Sequence, residues 1–290
     1  MHLTENACAK INLSLHVTGR RDDGYHLLDS LVVFSDACDI LTLESDGPKL
    51  ALSLTGPFGH ILSNDTSDDN LVLRAARAFG NTDGAVSGGR LTLDKRLPVA
   101  SGIGGGSADA AATLRLMSRL SNTKSDRNTL LRMAESLGAD VPVCVAQKPA
   151  RMSGIGEILA PAPDMPACGM VLVNPGIGVS TPEVFRARQG AFSPPLNLPR
   201  SWPDTAAMCA DLKQMSNDLE APACAICPPV REVLAALWSL PGCRLARMSG
   251  SGATCFALFD TPDAAREAVR PEAAAFRHAG WWVHAGALLS

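Results

Sequence analysis

Apolar and polar residues alternate strictly along residues 7–17, close to the start of the chain. A period of two is typical of a β-strand, with aliphatic side chains on one face and polar side chains on the other. Lys10 and Asn12 lie on the polar face, where they would project side by side. A solvated strand face is the ordinary interpretation of such residues, so the pattern by itself leaves their role open.

The rest of the chain mixes short apolar runs with stretches of helical spacing. Strands are predicted at 31–34, 40–44, 49–54, 90–94, 169–174, 255–259 and 281–288. Helices are predicted at 69–79, 107–120, 230–240 and 262–279, and a further helix is predicted from a cap at Ser125-Asp126 to Leu137. Glycine and proline accumulate just after residue 148, which predicts two domains, residues 1–150 and 151–290, in an α/β (α+β) protein.

Residues 97–111 read LPVASGIGGGSADAA, with four glycines between positions 102 and 106. Glycine permits positive φ angles and lets backbone N–H groups approach a ligand closely. Because a helical pattern follows at once, the run leads into a helix N-terminus, whose dipole favours anions. The stretch therefore predicts a phosphate site, and the flanking proline and helix disfavour a flexible linker.

Two common nucleotide motifs are excluded for this stretch. A Walker loop needs a lysine directly after its last glycine, and none follows Gly106. A dinucleotide fingerprint needs a third glycine where Ser107 stands, and it normally follows the first strand of a domain.

Charge and cysteine content exclude several classes of protein. The formal net charge is −3 and no basic run exceeds two residues, which argues against a nucleic-acid partner. No apolar run approaches the ~18 residues of a membrane span, and the first residues lack a signal-peptide pattern, so no membrane partner is expected. The nine scattered cysteines predict reduced thiols in a cytoplasmic protein, and we interpret Cys224 and Cys227 as buried or idle thiols.

Three further segments carry candidate chemistry, each with a structural alternative. The turn at 20–24 leads to Tyr25 and His26, which would either cap the edge of a core or stack on a ligand. Asp140 stands between a helix-ending glycine and Val141-Pro142, as a helix N-cap or as a catalytic base. A second glycine-serine loop at 249–254 is either a plain turn or a further part of the same site.

Together, Ala9-Lys10-Ile11-Asn12-Leu13, residues 98–111, Gly138–Pro142 and residues 249–254 resemble the motifs of the GHMP kinases. Three of these features favour the branch that acts on a cytidine nucleotide: the Ala-Lys-Ile-Asn-Leu strand, the Gly24-Tyr25-His26 turn and the triple glycine before Ser107. Asn217-Asp218-Leu219-Glu220 fits that branch as well. The resemblance implies a GHMP kinase-like fold, with an ATP-binding domain, a smaller ferredoxin-like α+β substrate domain and an active site in the cleft between them. It also implies ATP- and Mg²⁺-dependent phosphorylation of the 2-hydroxyl of 4-diphosphocytidyl-2-C-methyl-D-erythritol, a step of the non-mevalonate isoprenoid pathway.

The resemblance also implies roles for individual residues. Asp140 would be the catalytic base, and Lys10 would keep it ionised and stabilise the developing alkoxide. The ATP phosphates would lie on Pro98, Val99, Ala100, Ser101, Gly102, Ile103, Gly104, Gly105, Gly106, Ser107 and Ala108. Tyr25 and Phe185 would enclose the cytosine, His26 would read its edge, and Asn12 and Thr181 would contact the substrate.

One position departs from the family pattern. Where these kinases often have Ser-Ser-Asn-Ala-Ala, this chain has Ser107-Ala108-Asp109-Ala110-Ala111. Asp109 would either assist the metal or point to solvent, so the metal ligands stay unassigned.

Two alternative functions are a GHMP kinase acting on homoserine or mevalonate and a non-catalytic nucleotide sensor. The cytosine-stacking residues disfavour the first, and retention of both Lys10 and Asp140 disfavours the second. A monomer or weak homodimer is expected.

Overall fold

The computed structural model, which describes residues 2–45, 49–65, 70–80, 88–121 and 127–289, contains two compact units. The first unit comprises Met1–Ala9, Cys38–Val99 and Gly104–Gln147, and the second comprises Lys10–Ala37, Ala100–Ile103 and Lys148–Ser290. This grouping differs from the predicted segments 1–150 and 151–290. The reason is strand pairing, because Lys10–Ala37 contributes strand residues that pair with strands after residue 150.

Two long strands, β1 (His2–Arg20) and β2 (His26–Glu44), contribute residues to both units. In the first unit, β4 (Gly89–Asp94) pairs antiparallel with the last residues of β2 and parallel with β3 (Leu50–Thr55). The helices of this unit are α1 (Leu71–Gly80), α2 (Gly105–Leu120), α3 (Arg127–Leu137) and α4 (Val141–Ala146), and a 3-10 helix spans Gly59–Asp65. Helix α1 packs against α2, which also contacts α4.

The second unit is built on an antiparallel sheet with the strand order β2-β10-β7-β9-β8. Its strands are β5 (Ala150–Gly154), β6 (Ile158–Pro161), β7 (Gly169–Asn174), β8 (Leu245–Met248), β9 (Cys255–Phe259) and β10 (Trp282–Leu289). Its helices are α5 (Thr181–Ala187), α6 (Thr205–Lys213), α7 (Glu220–Ile226), α8 (Pro229–Ser239), α9 (Pro262–Val269) and α10 (Ala273–His278). Strands β7, β8, β9 and β10 with α8 and α9 have the order β-α-β-β-α-β, which is the predicted ferredoxin-like arrangement.

Strand β1 follows the predicted alternation, but its polar face is not solvated. Ile11 and Leu13 are fully buried on one face, while Lys10 and Asn12 on the other face are only 5% and 3% exposed. A buried polar side chain needs a hydrogen-bond partner or a function, so the face carrying Lys10 and Asn12 is a candidate site.

Strand β2 corrects the prediction of two short strands at 31–34 and 40–44. The polar residues between these runs continue the strand, and local and tertiary hydrogen bonds satisfy their side chains. Ser35 accepts a hydrogen bond from the Ala37 N–H, and Asp36 lies 2.8 Å from the imidazole of His284. Asp39 contacts Lys95.

The prediction that all nine cysteines are reduced thiols is wrong for one pair. Cys8 and Cys38 of the first unit form a disulfide, because β1 and β2 bring these residues together. The other seven cysteines are not in disulfides, and Cys224 and Cys227 are both buried. Burial raises the pKa of each of these two thiols above its ordinary value.

In the part of the chain that the structure describes, no helix combines the length and the apolar character needed to cross a bilayer.

Candidate active site

The centre of the glycine stretch, Ala100–Ile103, belongs to the second unit. Gly102 has a φ of +74°, a conformation that side chains rarely adopt, and Ala100 also has a positive φ of 50°. The Lys10 N–H donates to the Ile103 carbonyl at 2.9 Å, and the Val179 N–H donates to the Ala100 carbonyl. The loop is therefore attached to β1 at the position of Lys10.

The second glycine loop, Ser249–Thr254, packs directly on the first. A Cβ on Gly102 would lie 2.6 Å from the carbonyl oxygens of both Ser249 and Gly252, and a Cβ on Gly250 would lie 2.6 Å from the Gly102 carbonyl oxygen. Hydrogen bonds reinforce this contact, because the Thr254 N–H donates to the Ser101 carbonyl and the Ser249 hydroxyl donates to the Gly102 carbonyl. The loop at 249–254 was interpreted as either a plain turn or a further part of the site formed by the first loop. Its contact with the first loop favours the second interpretation.

Asn217 and Glu220 hold the second loop in place. The Asn217 side-chain amide donates to the carbonyls of Met248 and Gly250, both at 2.8 Å. A carboxylate oxygen of Glu220 accepts the Met248 N–H. The motif at 217–220 therefore has a structural role in positioning the loop at 249–254.

Asn12 lies beside both loops with one polar atom unused. Its backbone N–H donates to the Ser249 hydroxyl at 3.1 Å, and its side-chain amide donates to the Ser30 hydroxyl at 2.7 Å. Its side-chain carbonyl oxygen is buried without a hydrogen-bond partner and would lie 3.4 Å from a Cβ on Gly250. A substrate hydroxyl donating to this oxygen would satisfy it.

Thr181 joins the same group of residues from the start of α5. Its hydroxyl lies 2.7 Å from the hydroxyl of Ser251 in the second loop. Lys10, Asn12, Thr181 and both loops are thus linked within the second unit.

The predicted aromatic residues have a different arrangement from a simple sandwich. Tyr25 is 61% exposed, and the ring of His26 stacks on the ring of Phe185 with a centroid separation of 5.0 Å. Partial burial, together with the positive charges of Arg20 and Arg188, holds the pKa of His26 below its ordinary value. His26 is therefore neutral at pH 7, with one ring nitrogen as donor and the other as acceptor.

The remaining glycines of the stretch open helix α2 in the first unit. Gly104 is the N-cap residue and has a φ of +64°. As a glycine, it has no side chain to cap the helix. Gly106, in the first turn, is exposed. Pro98 is buried and Val99 is half-buried in the segment that enters the loop. The N–H groups of Gly105, Gly106 and Ser107 occupy the first turn, where a helix offers donors to an anion, and Ala108 follows with its N–H bonded to the Gly104 carbonyl.

Asp140 occupies the N-cap position of α4, but its side chain makes no capping hydrogen bond. The residue is half-buried, and Pro142 lies in the first turn of the helix. Since the carboxylate is not used to close the helix, the interpretation as a simple N-cap does not explain it.

Asp109 does not point to solvent. Its carboxylate is buried and accepts a hydrogen bond from the ammonium of Lys95 at 2.6 Å. Burial raises the pKa of Asp109 to about 7 despite the neighbouring lysine, and the nearby Asp39 contributes in the same direction. Among the described residues, no group of three or more His, Cys, Asp or Glu side chains is arranged to hold a metal ion.

Sequence reasoning recognised the segments at 217–220 and 249–254 but assigned no site residue in them. Ser249 and Ser251 contact the predicted site residues, and Asn174 donates to the Thr254 hydroxyl. One sequence signal could have pointed to Ser249 and Ser251: the presence of two similar glycine-serine loops in one chain. The partners of these residues lie far away in sequence, so no local pattern identifies them.

Replacing Gly102 with alanine is expected to destabilise the protein by more than about 2 kcal/mol, because the positive φ is strained and the new Cβ would meet backbone. Gly106→Ala is the matched control, since its Cβ would meet only a Leu71 methyl group at 3.5 Å and alanine favours a helix. Thermal unfolding of both variants measures the difference. An equal effect of the two substitutions would contradict the observed loop contact.

Asp109→Asn is expected to alter the pH dependence of stability. The folded pKa of about 7 exceeds the unfolded value of 3.8, so the folded wild type binds more protons between these values. The unfolding free energy of the wild type should therefore fall, relative to Asp109→Asn, as the pH rises from about 4 to about 7. The expected change is at most about 4 kcal/mol, at 1.36 kcal/mol per pKa unit. Urea titrations at several pH values measure it, and parallel curves would contradict the assignment.

Comparisons with known proteins agree with these observations. The family model described as the GHMP kinases N terminal domain matches residues 70–148, and the GHMP kinases C terminal model matches residues 203–277. A 4-diphosphocytidyl-2-C-methyl-D-erythritol kinase of Gluconacetobacter diazotrophicus is 57% identical, over 99% of this chain and 95% of the relative. A kinase of the same description from Granulibacter bethesdensis is 55% identical, over 95% and 91%.

A solved structure gives the same result for the fold. The crystal structure of a 4-(cytidine 5′-diphospho)-2C-methyl-D-erythritol kinase is 35% identical, with a TM-score of 0.80 over 99% of this chain and 100% of that chain. The predicted GHMP kinase fold is thereby confirmed. The chain belongs to the GHMP kinases and, within them, to the 4-diphosphocytidyl-2-C-methyl-D-erythritol kinase family.

Proposed function

We propose that this chain transfers the γ-phosphoryl group of ATP to the 2-hydroxyl of 4-diphosphocytidyl-2-C-methyl-D-erythritol. One observation carries the proposal: the second unit combines two features. Two glycine loops pack on each other beside Lys10 and Asn12. The same unit also contains the aromatic residues Tyr25, His26 and Phe185, of which His26 and Phe185 are stacked. Glycine loops suit a phosphate chain, and aromatic rings suit a nucleobase. A small acyclic alcohol would use only the first of these features.

In this proposal, Asp140 accepts the proton of the attacking hydroxyl, and Lys10 offsets the negative charge that develops on its oxygen. Asp140 suits the role because its carboxylate does not cap α4. Phosphoryl transfer depends mainly on positioning and charge neutralisation. We therefore expect the loss of Lys10 to reduce turnover about as much as the loss of Asp140.

The phosphates of ATP are proposed to lie on the glycine stretch 98–108. The first-turn N–H groups of α2 and the loop at Ala100–Ile103 supply backbone donors, which need no positively charged side chain. Mg²⁺ belongs to the proposal as well and would neutralise phosphate charge. Its protein ligands stay unassigned, since one oxygen of Asp109 is bonded to Lys95 and Mg²⁺ in kinases is held by one or two carboxylates together with substrate phosphates and water.

Tyr25, His26 and Phe185 are proposed to recognise the cytosine. Neutral His26 presents both a donor and an acceptor, as the amino and carbonyl groups on the edge of cytosine require. The unpartnered carbonyl oxygen of Asn12 and the hydroxyl of Thr181 are proposed to bind hydroxyl groups of the sugar alcohol.

The first experiment measures ADP release from Mg-ATP with 4-diphosphocytidyl-2-C-methyl-D-erythritol, homoserine, mevalonate or no acceptor. Release with the cytidine compound alone supports the proposal. Release with another acceptor would keep the kinase and exclude the cytosine assignment. Protein that binds ATP but releases no ADP with any acceptor would favour a nucleotide sensor.

Asp140→Asn is expected to lower kcat by roughly 10²- to 10⁴-fold, because the amide cannot accept the hydroxyl proton. Lys10→Met is expected to reduce kcat by a comparable factor. Steady-state kinetics on variants with wild-type thermal unfolding give the measurement. Near-normal turnover of folded Asp140→Asn would exclude Asp140 as the base.

Tyr25→Ala is expected to raise the KM for the cytidine substrate by roughly 5- to 150-fold, as the loss of one stacking contact of 1–3 kcal/mol implies. The KM for ATP should stay within twofold. Trp238→Ala is the control, because Trp238 is also a largely exposed aromatic residue but belongs to α8, which carries no predicted site residue. Equal increases in both KM values for Tyr25→Ala would exclude a cytosine-specific role.

A further inference from the structure

A buried cluster of three charged side chains lies at the start of helix α2. The ammonium of Lys95 donates to a carboxylate oxygen of Asp39 at 2.5 Å and to one of Asp109 at 2.6 Å. All three side chains are at most 3% exposed. They come from β2, from the residue that follows β4, and from α2, so the cluster joins three elements of the first unit.

The cluster contacts the chain on both sides of the phosphate loop. On the entering side, the second carboxylate oxygen of Asp39 accepts the N–H groups of Arg96 and Leu97, at 2.6 and 2.8 Å, immediately before Pro98. On the leaving side, Asp109 belongs to α2 itself, and a Cβ on Gly105 would lie 3.2 Å from the Lys95 nitrogen. The ammonium of Lys95 therefore lies close to Gly105, the first residue of α2.

The backbone of Lys95 is fixed as well. Its N–H donates to the Thr55 carbonyl, and its own carbonyl accepts the Phe58 N–H. Both the main chain and the side chain of Lys95 are therefore hydrogen-bonded, which restrains the position of the ammonium between the two carboxylates.

Stability alone does not account for this arrangement. Two carboxylates share one cation, so the buried group carries an excess negative charge if all three members are ionised, and one oxygen of Asp109 has no hydrogen-bond partner. Burying such charges costs free energy, and apolar side chains of similar volume are often at least as stabilising. An uncompensated buried polar atom calls for a functional explanation.

We propose that Asp39, Lys95 and Asp109 are positioning residues that fix the two ends of the phosphate loop and thereby set the affinity for ATP. The inference rests on the proposed function, because it assigns the loop at 98–108 to ATP. Lys95 acts through the backbone and not through direct charge on the nucleotide, since its ammonium is bonded to both carboxylates. Removing the cluster should weaken ATP binding and leave recognition of the acceptor unchanged.

The test compares Asp109→Leu, Asp109→Asn and Lys95→Met in two assays. Calorimetric titration with ATP in the absence of acceptor measures nucleotide affinity, and steady-state kinetics separate the KM for ATP from the KM for the acceptor. We expect Asp109→Leu and Lys95→Met to weaken ATP binding at least tenfold with the acceptor KM within twofold. Asp109→Asn should stay within threefold of wild type, because its amide oxygen can still accept from Lys95.

Glu5→Gln is the matched control for general destabilisation. Glu5 pairs with Arg115, which lies further along the same helix α2 in the same unit. This variant should lower the thermal midpoint without changing ATP affinity. If Asp109→Leu lowers the midpoint but leaves ATP affinity within twofold, or raises both KM values equally, the cluster is only structural and the inference is wrong.

Asp39→Asn provides a milder variant if the larger substitutions prevent folding. Its amide oxygen can still accept the N–H groups of Arg96 and Leu97, but its NH2 group then replaces the oxygen that accepts from the Lys95 ammonium, so the cluster loses one contact. At least threefold weaker ATP binding with an unchanged acceptor KM supports the inference, and unchanged ATP binding overturns it. Failure of the wild type to bind ATP would overturn the proposed function and the inference together. Normal ATP binding by every cluster variant would overturn the inference alone.

Discussion

The close approach of two glycine loops is the constraint on which the candidate site of the second unit depends. Gly102 and Gly250 meet backbone to backbone, at distances that leave no space for any side chain. The Ser249 hydroxyl links β1 to the first glycine loop, since it accepts the Asn12 N–H and donates to the Gly102 carbonyl. Asn12 lies two residues after Lys10 on the same face of β1. The loop contact therefore also fixes the position of Lys10, the predicted catalytic lysine, relative to the two loops.

Local sequence patterns were sufficient for several of these features. A period of two predicted the first strand, and the glycine run followed by helical spacing predicted an N-terminus where α2 begins at Gly105. The motif combination predicted the GHMP kinase fold, which the comparisons confirm. These features were accessible because the information lies within a few adjacent residues, or in motifs recognisable by their order.

Other features depend on partners that are distant in sequence. The environment of Asp109 could not be predicted, because Lys95 is 14 residues away and Asp39 is a further 56 residues from Lys95. The same reason explains why β2 was predicted as two strands, since its residues Asp36 and Asp39 are paired by tertiary contacts, with His284 and Lys95. The roles of the individual predicted site residues stay predictions, which the variants described above address.

The division of the two units along the chain has a consequence for how the protein is made. The first unit is complete in sequence at Gln147, whereas Lys10–Ala37 of the second unit pairs with β10, which ends at Leu289. At a synthesis rate of roughly 5–20 residues per second, an early segment waits roughly 10–50 s for its last strand partner. During that interval the edge of β2 that pairs with β10 lacks this partner, so the nascent chain is exposed to mispairing at that edge.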